Sequence, residues 1–462
     1  MIRLDRRRTF PELLPRVNQL FELSARKLLA LDRTWRPEDG APVFTVDGQY
    51  RARGWTEWTE GFQVGSALLQ FDATGDRAFL DVGRERTVTR MPAHLTHFGV
   101  HDHGFNTVST YGTLWRLARE GRIDASTWEA HVYALALKVS GAVQARRWTR
   151  IPAGGFIYSF NGPHSLFVDT IRSLRSLALA WRLGQPLVEE QDARVDLLER
   201  LVQHASTTAR YSVYYGTDRD RYDVRGRVAH ESLFNPVNGT YRGPSTQQGY
   251  SPFTTWTRGL AWAMLGFAEQ LEFLAGVPDG SLEPCGGRTA VESFMLDAAR
   301  ATGDHYIEVA AADGIPYWDS GAPGLALLPG WEDRPADPFN EREPVDSSAA
   351  AIAAQGLLRL GRLLRSRGAG DDADRYEQAG LCVVDALLDD AGPYLSVEPD
   401  HQGLLLHSVY HRPNGWDHVP PGASTPRGES SQWGDYHARE VALYVKRVAE
   451  GAPYLTFFGP PQ

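Results

Sequence analysis

The sequence predicts an all-α protein whose helices form an (α/α)6 barrel, built as a single domain over residues 1–462. Twelve segments have helical hydrophobic periodicity, and convincing strand alternation is almost absent. Segments that are apolar or small on nearly all sides alternate with segments that carry one charged stripe. An inner ring of helices wrapped by an outer ring accounts for this alternation. A helical-repeat solenoid would give a similar pattern, but the sequence contains no fixed-period repeat to support one.

The pattern assigns individual helices to the two rings. The segments 347–354 and 259–266 consist of small and apolar residues, as helices buried on two sides require, whereas 187–206 and 370–388 each carry a charged face. Long connections rich in Gly, Pro, Trp and His follow some of the helices, and loops of this length in a compact barrel are usually functional. The predicted helices lie near 11–32, 60–73, 77–91, 104–120, 126–142, 165–183, 189–208, 255–274, 288–303, 346–367, 370–388 and 434–449.

Composition narrows the class of function. The 462 residues are 42% hydrophobic and 23% charged, which is typical of a soluble globular protein, and the net charge of −9 argues against a nucleic-acid surface. The sequence has no run of about 18 apolar residues and no apolar segment after the charged N-terminus, so we expect neither a membrane partner nor a signal peptide. Two distant cysteines fit a reduced, cytoplasmic setting. Thirteen Trp and 18 Tyr suit a protein that stacks aromatic rings on sugars, although large cores also use Trp.

Two acidic residues stand out because each lies at a predicted helix start. Asp102 lies within His101–Phe105, and Asp169 follows Phe167 and Val168. A carboxylate placed there is held by unpaired backbone N–H groups and can face a cleft. The alternative interpretation is that both aspartates only cap their helices.

An ordered series of motifs resembles the unsaturated glucuronyl hydrolases, glycoside hydrolase family 88. The series extends from about Trp55 to Leu443, and its order is far more specific than any one motif. The motifs are Trp58–Phe62, His101–Phe105, Val168–Asp169, Gln248–Tyr250, Thr255–Trp262, Gly314–Asp319, Asp346–Ala354, Leu406–His411 and Trp433–Tyr436.

This resemblance implies an (α/α)6 barrel that releases a 4,5-unsaturated uronic acid from the non-reducing end of lyase-generated oligosaccharides. The reaction it implies is hydration of a vinyl ether, without a cofactor. Asp169 matches the family's acid/base, which protonates C4 and helps water add at C5, and Asp102 matches its second aspartate. A second carboxylate nearby is expected to raise the pKa of the acid.

The resemblance also implies a set of substrate-binding residues. Gln248 and Arg258 match the pair associated with the substrate's carboxylate, and a guanidinium presents a fixed fork to such a group. The other matching positions are a histidine near the acid, a further histidine beside Asp102 and two tryptophans that offer stacking faces: His230, His101, Trp256 and Trp58.

Each of these assignments has a structural alternative. Arg258 could instead pair with a buried aspartate such as Asp435, His230 could be an ordinary loop residue, and Trp58, Trp256 and Trp262 could belong to the core. The histidines at 94, 97, 101 and 103 contain an HxH spacing but lack the further ligands of a zinc site, so we expect no metal.

The sequence departs from the family pattern at two positions. Gln63 stands where a second Trp is typical, and Arg172 lies one turn after Asp169, where it could lower the pKa of the acid or engage an anionic leaving sugar. Three functions therefore stay open: the unsaturated glucuronyl hydrolase, a related hydrolase of unsaturated galacturonyl or rhamnogalacturonyl units or of intact glycosides, and a sugar-binding barrel without catalysis. For an intact glycoside, two carboxyls would have to lie on opposite sides of the anomeric centre.

Overall fold

The computed structural model describes residues 1–4, 7–54 and 57–460. Trp55, where the family resemblance begins, lies outside these residues. The α-helices within the described ranges are α1 Leu14–Thr34, α2 Glu60–Thr74, α3 Arg77–Arg90, α4 Pro92–Leu95, α5 His103–Thr107, α6 Thr113–Arg119, α7 Thr127–Arg146, α8 Thr170–Ser173, α9 Arg175–Arg182, α10 Leu197–Tyr211, α11 Thr257–Leu274, α12 Asp279–Leu282, α13 Arg288–Val309, α14 Ser347–Ser366, α15 Gly370–Leu388 and α16 Gln432–Ala449. A single π-helical turn, Val108–Gly112, joins α5 to α6.

The helices form two concentric rings, which confirms the predicted (α/α)6 barrel. The inner ring consists of α2, α5 with α6, α8 with α9, α11, α14 and α16; neighbours in this order are in contact, and α16 contacts α2 to close the ring. The inner helices α11 and α14 are buried along nearly their whole length, as their composition predicts. They approach closely at Gly356, where an added Cβ would lie 2.9 Å from the backbone nitrogen of Leu265. A small residue is therefore required at this crossing.

Short antiparallel strands occupy the connections between helices. They pair as β1 with β2, β3 with β4, β5 with β8 and β9, and β6 with β7. Their bounds are β1 Pro42–Val46, β2 Gln49–Ala52, β3 Trp148–Ile151, β4 Gly154–Ile157, β5 Ser165–Phe167, β6 Leu187–Val188, β7 Arg194–Val195, β8 Glu231–Phe234 and β9 Tyr241–Ser245.

Two predicted helix starts are wrong because of these strands. The helix predicted at 165–183 begins only at Thr170, since residues 165–167 pair with β8. The helix predicted at 189–208 begins at Leu197, where the Asp196 carboxylate accepts hydrogen bonds from the first-turn N–H groups, and the residues before it form the β6–β7 hairpin. The other predicted helices are present with ends displaced by a few residues, the largest extension being α13, which continues to Val309.

The sheet formed by β5, β8 and β9 positions the candidate site. At its end, the N–H of Val168 donates to the carbonyl of His230 at 3.0 Å, which sets Asp169 beside that histidine. One hydrophobic core runs through the barrel, and a small satellite core lies under the sheet. None of the helices in the described residues is long and apolar enough to cross a membrane.

Candidate functional site

A cavity of about 260 Å³ opens where the inner helices α5, α8 and α11 begin. Apolar and aromatic side chains form much of its wall: Trp58, Val100, Phe105, Phe160, Phe167, Trp256, Trp262, Tyr410 and Trp416. The polar lining is His101, Asp102, Asp169, Gln247, Gln248, Arg258, His411 and Asn414. The structure therefore brings together every site residue predicted from the sequence except His230, which lies directly behind the wall.

The two aspartates occupy the positions before α5 and α8, but neither acts as a helix cap. No first-turn N–H donates to the carboxylate of Asp102 or Asp169. In contrast, Asp346 caps α14 by accepting from the N–H groups of Ser348 and Ala349. The capping interpretation is therefore wrong for both cavity aspartates, and their oxygens are available to a ligand.

His101 lies between the two carboxylates. Its Nε2 is 3.7 Å from Asp102 Oδ1 and 3.5 Å from Asp169 Oδ1. The His101 ring is almost completely buried, and it contacts Phe160 and Phe167. Charges this close interact strongly in a buried setting. The two carboxylates and the imidazole therefore titrate as one group of sites.

The pKa directions differ from the sequence prediction. Burial raises the pKa of Asp102, with the neighbouring Asp169 adding to the increase. Burial would also raise the pKa of Asp169, but hydrogen bonding and attraction to His101 hold it below its usual value. Burial would lower the pKa of His101, yet the two carboxylates raise it. The sequence predicts that the nearby Asp102 raises the pKa of the acid. This prediction is wrong, because His101 lies between the two carboxylates and lowers the pKa of Asp169.

His230 presents a hydrogen-bond donor beside the acid. Its Nδ1 accepts from the backbone N–H of Gln247 at 3.0 Å, so in the neutral ring the proton is on Nε2. Burial lowers the pKa of His230 to about 4, which keeps the ring neutral near pH 7. Its Nε2 is buried and has no hydrogen-bond partner among the described residues. The ring packs against Phe167 and Trp256.

Arg258 holds other parts of the protein in place. Nη1 donates to Asp346 Oδ2 at 3.1 Å and to the carbonyl of Val409, while Nη2 donates to Gln248 Oε1 at 2.8 Å and to the carbonyl of Tyr410 at 2.8 Å. These four acceptors use the four terminal N–H groups of the guanidinium. The fork therefore orients Gln248, whose amide nitrogen is left to contact a ligand.

These contacts also test the alternative that Arg258 pairs with a buried aspartate. The arginine does pair with a buried aspartate, but the partner is Asp346. Asp435, the aspartate considered from the sequence, instead accepts from Tyr50 and from the N–H groups of Leu404 and Leu405.

The predicted tryptophans serve both the core and the cavity. Trp58 stacks on Trp433 with ring centroids 5.1 Å apart, and Trp262 packs against Phe105. Trp256 lies against the Arg258 guanidinium. All three predicted tryptophans also line the cavity, so their structural and ligand-binding roles are compatible.

The two departures from the family pattern lie outside the cavity lining. Gln63 points into a groove between α1 and α3 on the other side of α2. Arg172 is fully buried and donates to Glu269 and Glu440 at 3.0 and 2.7 Å. The hypothesis that Arg172 faces the cleft is therefore wrong, and neither residue contacts the space where a substrate would lie.

Several cavity residues were not predicted. Gln247 precedes the predicted Gln248, and His411 ends a motif already noted, so both could have been found by extending those motifs. Asn414 and Trp416 belong to the long loop at 397–433, where the sequence alone does not show which side chains turn inward.

Two other histidines of the sequence cluster, His94 and His103, have partners outside the cavity lining. His94 contacts Glu60 at 2.9 Å, and His103 contacts Ser140 at 2.9 Å. Away from the cavity, Asp47, His418 and Glu429 bring three possible metal-ligand atoms together. The Glu429 carboxylate there already accepts from the N–H groups of Asp47 and Gly48, so this group is a hydrogen-bonded loop junction.

Comparisons with known proteins agree with this geometry. No protein-family model matches the chain. The chain is 27% identical over 440 residues to the unsaturated glucuronyl hydrolase of Bacillus sp. (strain GL1), covering 94% of this chain and 96% of that protein. It is 25% identical over 437 residues to the unsaturated chondroitin disaccharide hydrolase of Streptococcus pyogenes serotype M1, covering 92% and 90%. The crystal structure of the Bacillus sp. GL1 enzyme superposes with a TM-score of 0.69 at 22% identity, covering 95% of this chain and 97% of that one.

Proposed function

We propose that the chain, which is similar over most of its length to unsaturated glucuronyl hydrolases, is a glycoside hydrolase of this family that removes 4,5-unsaturated uronic acid from lyase-generated oligosaccharides. The observation that carries this proposal is the grouping of Asp102 and Asp169 around one imidazole in an aromatic cavity. An aromatic wall suits the apolar faces of a sugar ring, and the buried carboxylates suit proton transfer.

The proposed reaction adds water across the C4=C5 double bond. Asp169 gives its carboxyl proton to C4, and the electron pair of the double bond forms the new C4–H bond. The positive charge that develops at C5 is shared with the ring oxygen. A water oxygen then bonds to C5 and returns one proton to the Asp169 carboxylate. The resulting hemiketal opens, the leaving sugar departs, and the acid is regenerated.

The other polar groups orient the sugar for this step. The Nε2–H of His230 is a neutral donor close to Asp169, and the amide of Gln248 is fixed by Arg258. We therefore propose that the uronate carboxylate binds at Gln248, with the nearby Arg258 guanidinium supplying positive charge from behind. Asp102, with its raised pKa, is placed to bind ring hydroxyls.

The grouping of the carboxylates favours hydration over displacement at the anomeric carbon. Displacement needs two carboxyls on opposite faces of that carbon, one as acid and one as nucleophile or base. Here both carboxyls lie next to the same His101 nitrogen, where one proton-transfer centre is formed.

The test is to mix the protein with unsaturated disaccharides made by lyases from several polysaccharides. We expect the absorbance of the conjugated double bond to disappear at the same rate as reducing sugar is released. Disaccharides whose double bond has been hydrogenated are the matched control and should not be cleaved. Cleavage of the saturated control, or persistence of the absorbance with every disaccharide, would contradict the proposal.

A further inference from the structure

We propose that Asp169 and His101 hold one catalytic proton in common, so that His101 is a positioning residue that stores the proton Asp169 delivers. This inference rests on the proposed function and deepens it, because it identifies the acid as a histidine–aspartate pair.

The contacts of the pair support proton sharing. His101 Nε2 is 3.5 Å from Asp169 Oδ1, slightly longer than a hydrogen bond, as catalytic contacts often are before a substrate binds. Both ring nitrogens of His101 and the Asp169 Oδ1 are buried, and none has a closer hydrogen-bond partner among the described residues. A buried polar atom without a hydrogen-bond partner costs free energy, which favours a hydrogen bond between His101 Nε2 and Asp169 Oδ1.

The charged and titratable groups around His101 favour a proton on the imidazole in the resting state. The two carboxylates of Asp102 and Asp169 attract it, and Arg147 at the end of α7 opposes it. His204 on α10 and His230 before β8 also face the pair, but burial lowers their pKa values to about 3 and 4, so both are neutral near pH 7.

This arrangement explains how a carboxyl group with a lowered pKa can act as an acid. In the proposed resting state the proton is on His101 Nε2 and Asp169 is a carboxylate, which agrees with the raised pKa of the imidazole and the lowered pKa of the carboxyl group. The proton on His101 Nε2 moves to Asp169 Oδ1, and the carboxyl group formed in this way gives that same proton to C4, which leaves a neutral imidazole and a carboxylate. When the attacking water gives up a proton, it returns through Asp169 to the imidazole. One proton enters at C4, one hydroxyl enters at C5, and the pair ends as it began.

The first test is the pH–rate profile of His101→Asn on one unsaturated disaccharide. A lone carboxyl loses its proton at lower pH than the imidazolium of the pair, so the alkaline limb of kcat/KM should move to lower pH. Near pH 7 the rate should fall by about 10²-fold, the lower end for loss of a proton donor. An alkaline limb that is unchanged, or that moves to higher pH, overturns the proposal.

His103→Asn is the matched control. His103 lies two residues away and is equally buried, and its two ring nitrogens contact the Ser140 hydroxyl and the carbonyl of His97 instead of a carboxylate. Its replacement can alter stability, but the alkaline limb should stay where it is in the unmodified protein. A limb that moves equally in both variants would overturn the assignment to His101.

The second test requires no turnover, so it separates this inference from the proposed function. The His101 imidazole is titrated by NMR in the unmodified protein and in Asp169→Asn, with the signal assigned by its loss in His101→Asn. Because an amide does not stabilise the imidazolium, the titration midpoint should fall by at least about one pH unit, the size of shift that one close carboxylate produces. An unchanged midpoint overturns the proposal even if the protein hydrolyses unsaturated disaccharides.

Discussion

Two buried charged clusters lie in the barrel, and they differ in how many of their polar atoms form hydrogen bonds within the protein. The cavity cluster consists of His101, Asp102 and Asp169, where both imidazole nitrogens and a carboxylate oxygen have no hydrogen bond to the described protein. The barrel cluster is formed by Arg172 with Glu269 and Glu440. In it, each carboxylate accepts from the guanidinium, and Glu440 also accepts from Gln355 at 2.9 Å.

The difference separates groups that hold the fold from groups that await a ligand. Leaving a buried polar atom unpaired costs about 1–3 kcal/mol, so a protein retains such atoms where they have another use. The barrel cluster shows that this chain can supply hydrogen-bond donors to buried carboxylates. The unpaired atoms of the cavity cluster differ from other unpaired buried atoms, such as the ring nitrogens of His305, because their residues line an aromatic cavity that a ligand can enter. Substitutions in the two clusters should therefore have opposite consequences for activity and stability.

The largest effect is expected for Asp169→Asn. The amide keeps the shape of the side chain but cannot cycle a proton, and general acid/base catalysis typically contributes about 10²–10⁴-fold. The initial rate of absorbance loss should therefore fall by at least that factor, while the denaturant midpoint changes little. Turnover equal to that of the unmodified protein would contradict the assignment of Asp169.

Arg172→Met should have the reverse pattern. It removes the closest cationic partner of the buried Glu269 and Glu440 carboxylates and leaves them only Arg175, at 3.7 and 3.9 Å. Breaking a buried ion pair costs about 3–5 kcal/mol of folding free energy. Urea unfolding monitored by circular dichroism measures this loss.

The matched control is Arg300→Met, which removes an exposed pair with Asp372 and should cost at most about 1 kcal/mol. Equal losses of unfolding free energy in the two variants would show that the barrel cluster does not stabilise the fold.

Arg258→Lys sharpens the comparison, because Arg258 is fully paired yet lines the cavity. A lysine cannot donate to Asp346 and Gln248 at the same time in the geometry of a planar fork. Losing the orientation of Gln248 should weaken substrate binding by about 1.5–3 kcal/mol, the range for a hydrogen bond to a charged group. The measurement is KM for one unsaturated disaccharide.

Arg439→Lys provides the control for this prediction. Arg439 is also buried, but it donates to Ser24 and Ser66 and does not line the cavity. Its replacement should leave KM unchanged. If Arg258→Lys also leaves KM unchanged, Arg258 serves only the fold.

Most of the fold could be predicted because the burial of each helix determines which residue types it contains. The inner helices need small residues for close contact, as at Gly356, and the outer helices keep one charged stripe. The strand Ser165–Phe167 could not be predicted in the same way. It is short, and its partner β8 lies more than sixty residues away in the sequence, so local periodicity carries no sign of the pairing.

The cavity residues were predicted largely from the ordered motifs, but their partners were not. The sequence places Arg172 one turn after Asp169, which suggests a shared face. In the structure Asp169 is the N-cap residue of α8, and its carbonyl accepts from the N–H of Arg172 at 3.1 Å, while the Arg172 side chain points into the barrel. Likewise, the link from Asp346 to Arg258 joins residues far apart in sequence, and only the folded barrel brings them together.

The most direct test of the central claim is to run the reaction in D₂O and examine the released uronic acid by NMR. Hydration by a fixed acid predicts one deuterium at C4, on a single face of the ring carbon, appearing as the double bond disappears. Asp169→Asn should slow the labelling and the release of sugar by the same factor. Release of an intact unsaturated uronic acid would contradict protonation by Asp169 within the cavity. So would deuterium on both faces of C4 at the earliest times, before the C4 hydrogens next to the new C5 ketone exchange with solvent.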